Sequence, residues 1–250
     1  MTFIVGHRGA RSLWPENSLS GFRNLLTLPV EAVEFDVHLT DAGELLVIHD
    51  PALDRTTNRT GPVRALGLGE RHDVTLRGSD GEGIPTLEEV LWLFKDSDLE
   101  LQVELKADAA RVPYAGLEAK AAAVLNALGL ADRTFLTSFY PDVLATVRRV
   151  APHMRTLLSF SRGSIERLGL AASIEVAMTV ADVVDIEMSL LSVEWEAIAG
   201  RVPLDRLGVW TPNSEEDLAY WLAKGLRNVT TDRPDLALAA RGKELAHAAD

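Results

Sequence analysis

Cysteine is absent from the 250 residues. Disulfides and thiolate chemistry are thereby excluded, and any metal must take oxygen or nitrogen ligands. Long apolar runs are missing too: no stretch approaches the roughly 20 residues that a membrane-spanning helix needs. The N-terminus, Met1-Thr2-Phe3-Ile4-Val5-Gly6-His7, has neither a basic segment nor a long apolar one. No secretory leader is expected there, and with the lack of cysteine this points to the cytoplasm. Basic residues are in the minority, 25 against 37 acidic, for a formal net charge of −12. Such a surface disfavours nucleic acid and anionic lipid, so neither a nucleic-acid partner nor a stable membrane association is expected. A phosphate-bearing small molecule stays compatible, because a local cluster of cations overrides the average. What is plentiful is apolar side chains, 47% of the chain beside 25% charged, the balance of a globular protein. A single domain of this length buries roughly three quarters of its unfolded surface.

Short apolar runs alternate with amphipathic stretches. The runs read as strands at Phe3–Gly6, Ala32–Val37, Leu45–His49, Leu101–Leu105, Thr134–Phe139, Thr156–Phe160, Val183–Met188, Leu207–Thr211 and Val229–Thr231. Helices are expected between most of them. Thr86 and Glu89 form a capping box at the start of one; Gly129 ends an Ala-rich helix that begins near Gly116; Ser214 caps another with acidic residues in its first turn. This alternation predicts parallel strands with crossover helices, an α/β chain of the (β/α)₈ TIM-barrel kind. Nine strands are one too many. Only Asp41-Ala42-Gly43-Glu44 separates the second run from the third, too short for a parallel crossover but suited to a hairpin. Leu45–His49 is therefore expected to return antiparallel on the second strand; with Thr40 opposite Leu45, Asp36 would face His49. Residues 51–84 carry little periodicity and read as an excursion outside the barrel.

The polar residues at strand ends suggest chemistry. His7-Arg8-Gly9 follows the first strand, on the face where barrel enzymes keep their active sites. It is either a surface turn or a proton-transfer group beside a phosphate-gripping guanidinium. Glu34 and Asp36 share one face of the second strand, with Phe35 on the other. Two carboxylates inside an apolar strand repel each other and are costly to bury, and a hard divalent cation resolves both difficulties. The bland alternative is a solvated strand face, against which Val33, Phe35 and Val37 argue. Glu104 and Lys106 repeat the pattern two residues apart: a third carboxylate with a phosphate-side ammonium, or a plain ion pair. His49-Asp50 adds a second strand-end histidine, and two such histidines suggest an acid–base pair.

These segments together resemble the glycerophosphodiester phosphodiesterase family. The resemblance rests on His7-Arg8-Gly9, Pro15-Glu16-Asn17-Ser18, Glu34-Phe35-Asp36-Val37, Thr40-Asp41-Ala42-Gly43, His49-Asp50, Leu53-Asp54-Arg55-Thr56-Thr57, Glu104-Leu105-Lys106 and Thr231-Asp232-Arg233-Pro234. It runs from about residue 4 to residue 236. It implies one TIM-barrel phosphodiesterase domain over 1–250, with 51–84 as a small insertion after the second strand. It also implies metal ligands Glu34, Asp36 and Glu104 holding one Mg²⁺ or Ca²⁺, catalytic histidines His7 and His49, and Arg8 and Lys106 near the phosphate. The implied reaction is hydrolysis of a small-molecule glycerophosphodiester to sn-glycerol 3-phosphate and an alcohol. A related diesterase acting on lysophospholipids and a non-catalytic glycerophosphate-binding barrel are the rival readings. Asn17 reads as a substrate ligand or a helix cap, and Trp210 as a stacking platform for the glycerol side or as barrel filling. His38 reads as structural, Glu187 as a candidate for the pocket, and His72, His153 and His247 as surface residues. The chain departs from the usual family pattern at Asp41-Ala42, at Pro212 and across Gly225–Thr230, positions of the pocket rim and later strands.

Overall fold

The computed structural model describes residues 1–166 and 168–247. They form β1 (Phe3–His7), α1 (Leu19–Leu25), β2 (Ala32–Leu39), β3 (Leu45–Val47), α2 (Leu87–Phe94), β4 (Glu100–Leu105), α3 (Leu117–Leu128), β5 (Thr134–Ser138), α4 (Pro141–Val150) and β6 (Arg155–Phe160). These are followed by α5 (Leu170–Val180), β7 (Val183–Glu187), α6 (Met188–Val193), α7 (Trp195–Ala199), β8 (Leu207–Trp210), α8 (Glu215–Leu222), β9 (Asn228–Thr231) and α9 (Pro234–His247). Every strand except β3 lies parallel to its neighbours in the order β1-β9-β8-β7-β6-β5-β4-β2, and β1 pairs again with β2. The sheet is thus a closed eight-stranded barrel with helices outside, the expected architecture. No helix among the described residues is long and apolar enough to cross a membrane.

Local chemistry explains the helix ends. Thr86 accepts from the Glu89 amide while the Glu89 carboxylate accepts from the Thr86 amide, the reciprocal capping box expected from sequence. Ser18, rather than Asn17, caps α1 by accepting from the Gly21 amide. Ser214 caps α8 in the same way. The main core lies between strands and helices: Phe22, Phe35 and Phe94 pack ring against ring there with centroids 5.6–6.5 Å apart. Alternation along each strand turns the other set of residues into the barrel. Its lower interior is closed by Phe135, Leu157 and Val183. Arg155 and Arg227 lie over the Phe135 ring, and Arg227 bonds Glu100 at 2.6 Å.

β3 returns antiparallel on β2 as expected, but one residue out of the expected register. Leu39, not Thr40, faces Leu45, and Asp36 O accepts from the Ile48 amide at 3.1 Å. The cause is the turn. Gly43 adopts φ +93°, closing a three-residue loop in which the Thr40 amide donates to Glu44 O at 2.9 Å. His49 thus lies beyond the paired strand, where its carbonyl takes a 3.0 Å hydrogen bond from His38 Nε2. After it, residues 51–84 form turns and short 3₁₀ segments that pack Leu53, Val63, Leu66, Val74, Leu76 and Ile84 into a small separate core with Leu46 of β3 and Ile48 just after it.

Candidate functional site

At the C-terminal ends of the strands, His7, Arg8, Glu34, His49, Glu104, Trp210 and Asp185 line one cavity of about 200 Å³. The turn that opens it is strained. Arg8, Gly9 and Ala10 take φ of 51°, 75° and 66°, and Asn17 takes 53°. A left-handed backbone costs a non-glycine residue about 1–2 kcal/mol, a cost that persists where surrounding structure over-determines the conformation. Here the Ala10 amide bonds His7 O and the Asn17 amide bonds Arg8 O, tying both ends of the loop.

Period-two alternation brings Glu34 and Asp36 to the same face of β2, and the parallel pairing of Asp36 with Glu104 brings β4 beside them. One oxygen from each of Glu34, Asp36 and Glu104 lies within 4.8 Å of the other two. Asp36 is fully buried and Glu34 nearly so. Burial, with the charges of Asp36 and Glu104, pushes the Glu34 carboxyl well above the ordinary carboxylate range. For Asp36 burial is outweighed by Lys106 and Arg8, which hold it well below that range. Lys106 Nζ is 2.8 Å from Glu104 Oε1 and 3.3 Å from Asp36 Oδ1; Arg8 Nε is 3.3 Å from Asp36 Oδ2. Even so, Glu34 Oε1 is buried with no hydrogen-bond donor among the described residues, and Asp36 Oδ1 has only its 3.3 Å ion pair with Lys106. Buried oxygens are rarely left so, and three hard carboxylates, two of them with such under-satisfied atoms, suit a divalent cation with oxygen preference. Asn17 holds Asp36 from behind, its Nδ2 donating to Oδ2 at 2.9 Å. It therefore contacts the carboxylate cluster, and the cap role belongs to Ser18.

Both histidines sit in the cavity wall, each tied at Nδ1 to a carboxylate. His7 Nδ1 is 2.5 Å from Asp232 Oδ1, and His49 Nδ1 is 2.6 Å from Asp50 Oδ1. Asp232 is held far below the usual range, because hydrogen bonds from His7 and Arg11 outweigh its burial. Asp50, partly buried, is held at about 2 by hydrogen bonds from Arg55 and His49. An ionised carboxylate only accepts, so Nδ1 carries the proton in both rings and Nε2 is left free when the ring is neutral. Burial pushes His7 down to about 4, against the pull of Asp232. Its Nε2 lies 3.7 Å from Glu34 Oε2. Trp210 lines the cavity edge-on to Phe139, centroids 5.5 Å apart, with its indole nitrogen buried and without an acceptor among the described residues. His38 is buried between Tyr114 Oη and His49 O. Glu187 is engaged by the Arg162 amide and Ser189. His72 and His153 are exposed; the side chain of His247 lies outside the described residues.

Several residues of this site were not singled out from sequence. Asp232 was legible only as part of a motif, although an acid just past a barrel strand is a usable signal. Asn213 bonds it at 2.9 Å from the loop after β8. Asp185 is a mid-strand residue whose role no local pattern announces. It is 3% exposed, its oxygens accept from Asn228 Nδ2 at 3.0 and 2.9 Å, and among the described residues no cation pairs with it directly. Gly208 makes room for it: a Cβ there would stand 1.8 Å from Asp185 Oδ1.

Burial raises the Asp185 carboxyl from 3.8 to about 6, against the Asn228 hydrogen bonds. The folded state then holds this proton more tightly than the unfolded chain, so the residue's contribution is most favourable below pH 3.8 and is lost as pH rises through about 6. The loss amounts to about 2–3 kcal/mol. Asp185→Asn should remove it, so that the variant gains stability relative to wild type between pH 4 and 7 in urea unfolding. Parallel pH profiles for the two proteins would refute this.

A sequence profile described as the glycerophosphoryl diester phosphodiesterase family matches residues 7–236. A glycerophosphodiester phosphodiesterase of Caldanaerobacter subterraneus subsp. tengcongensis is 30% identical over 240 residues, 94% of this chain and 95% of the relative. One from Bacillus altitudinis is 30% identical over 256 residues, covering 96% and 98%. Among solved structures, an Agrobacterium tumefaciens protein provisionally named a glycerophosphoryl diester phosphodiesterase superposes with a TM-score of 0.90 at 28% identity, covering 98% of this chain and 99% of the other.

Proposed function

The chain belongs to the glycerophosphoryl diester phosphodiesterase family and is an enzyme of that activity, and from that premise we propose that it hydrolyses glycerophosphodiesters with one divalent cation and two histidines. The observation that carries the proposal is a cavity lined by Glu34, Glu104 and two imidazoles whose Nδ1 atoms are each locked to a carboxylate, with the buried Asp36 completing a three-carboxylate cluster behind its wall. Glu34, Asp36 and Glu104 would hold the cation, Mg²⁺ or Ca²⁺. Bound there, it supplies Lewis-acid polarisation of a phosphoryl oxygen and a lowered pKa for a hydroxyl.

The chain's own residues do the rest. Lys106 and Arg8 face the cluster and offset charge that accumulates on the phosphoryl oxygens. His7, neutral with Nε2 free, takes the proton from the attacking oxygen, that of water or of the neighbouring glycerol hydroxyl, as it bonds to phosphorus; in the second case water then opens the cyclic phosphate to sn-glycerol 3-phosphate. His49, the more exposed of the two, protonates the alkoxide as the bond from phosphorus to the departing alcohol breaks. Trp210 and Phe139 wall the side that would take the glycerol moiety. Residues 51–84, an insertion in a single barrel domain, would shape the entrance beside His49.

The direct test is incubation with glycerophosphocholine and glycerophosphoethanolamine, with Mg²⁺ or Ca²⁺ added to metal-stripped protein. Release of choline or ethanolamine together with sn-glycerol 3-phosphate is expected, and chelator should abolish it. Binding of these diesters without cleavage would move the protein to the class of binding barrels.

A further inference from the structure

Two motifs take no part in the mechanism so far: Glu16, in the loop after β1, and Arg55, in the insertion. They meet in space. Arg55 donates from Nη1 to Glu16 Oε2 at 2.9 Å and from Nη2 to Glu16 Oε1 at 2.8 Å. The same guanidinium donates from Nε to Asp50 Oδ2 at 2.7 Å and from Nη2 to Asp50 Oδ1 at 3.0 Å. Asp50 is the carboxylate that holds His49. On the other side, Arg11 donates from Nε to Asp232 at 2.7 Å and stands 3.9 Å from Glu16; Asp232 is the carboxylate that holds His7. Arg8 completes the cluster with Nη1 3.3 Å from Glu16 Oε1. The two histidines are therefore the ends of one chain of alternating charge, His7–Asp232–Arg11–Glu16–Arg55–Asp50–His49.

We propose that Glu16 and Arg55 are positioning residues, a strap between barrel and insertion that sets the orientation of both catalytic imidazoles; this deepens the two-histidine reading and rests on it. The supports of the strap are stiff at each end. Glu16 precedes Asn17, whose left-handed backbone and bond to Asp36 tie the loop to the carboxylate cluster. Arg55 projects from a turn closed by the Thr57 amide and hydroxyl, both donating to Leu53 O at 3.0 and 2.8 Å, with Leu53 and Thr57 buried. A lone surface ion pair contributes little, but planar forks that engage two carboxylates bidentately restrict geometry as well as attract. Without Arg55, Glu16 and Asp50 would repel and Asp50 would no longer be aimed at His49.

The test compares Arg55→Met, Arg55→Lys and Glu16→Gln with wild type. Arg55 is 47% exposed, so folding survives its loss, and Tm should move by no more than about 3 °C. For Arg55→Met, kcat on glycerophosphocholine should fall about 10–100-fold, as for other residues that orient a reacting group, with KM and metal affinity nearly unchanged. Arg55→Lys keeps the charge but not the fork and should rescue little; Glu16→Gln should lose a comparable factor. Nitrogen-15 NMR of the histidine side chains, above the pH at which they protonate, should show His49 as a single Nδ1–H tautomer in wild type and a mixture in Arg55→Met. Wild-type turnover in Arg55→Met, or an unchanged His49 tautomer with faster tryptic cleavage in residues 51–84, would overturn the proposal and leave Arg55 a mere anchor. If wild type cleaves no diester, the two-histidine reading fails, while the tautomer measurement still decides whether the strap orients His49.

Discussion

His7→Ala and His49→Ala are each expected to lose about 10²–10⁴-fold in kcat, the usual cost of removing a positioned acid or base. Substrate affinity should change far less, because Arg8, Lys106 and the cation site remain in place. The fold should also survive. Asp232 keeps its bonds to Arg11 and Asn213 when His7 is removed, and Asp50 keeps both bonds to Arg55 when His49 is removed. The two variants should differ in detail. His7 is nearly buried against Glu34, so its loss opens space beside the carboxylate cluster, whereas His49 is 29% exposed at the cavity wall. Steady-state kinetics at saturating metal, with circular dichroism to confirm the fold, measures both. Wild-type turnover in both variants would show that proton transfer runs through other groups.

Loss of the metal ligands should have the second-largest effect, and its sign depends on whether metal is present. Without a cation, Glu34 is a buried carboxyl facing two others, so Glu34→Gln relieves repulsion and should unfold at a Tm equal to or above wild type. With metal at about 100 times its Kd, wild type should gain roughly 2.7 kcal/mol while the variant gains little. The order of stability therefore inverts on adding metal. Asp36→Ala should behave otherwise: it leaves the buried cations Lys106 and Arg8 without their shared partner, and breaking such a buried pair costs about 3–5 kcal/mol even without metal. Calorimetry should find one divalent site in wild type and none in either variant. Undiminished affinity in both would disprove the assignment of Glu34 and Asp36 as ligands.

Much of this molecule was readable along the chain. The nine strands lie within a residue or two of where the apolar runs place them, since a strand's apolar run is a local property of a segment buried on both faces. The capping box of Thr86 and Glu89 was legible because it needs only four residues. The shared face of Glu34 and Asp36 followed from the period of two, which no tertiary contact alters. The four-residue link forced β3 back upon β2. Its register was another matter: whether Leu39 or Thr40 faces Leu45 turns on the loop conformation that Gly43 adopts, a choice the composition of the loop leaves open. The pairs that make the site chemical were settled only by closure of the barrel. His7 meets Asp232 across 225 residues because β1 and β9 become neighbours, and Glu104 reaches Asp36 because β4, not β3, pairs in parallel with β2 on the side away from β1. Arg55 meets Glu16 because the insertion folds over the small separate core and back onto the first loop. Sequence periodicity decides which side a residue faces within its own element. Which residue it then meets depends on strand order, register and loop path, and these are set by the packing of the whole chain.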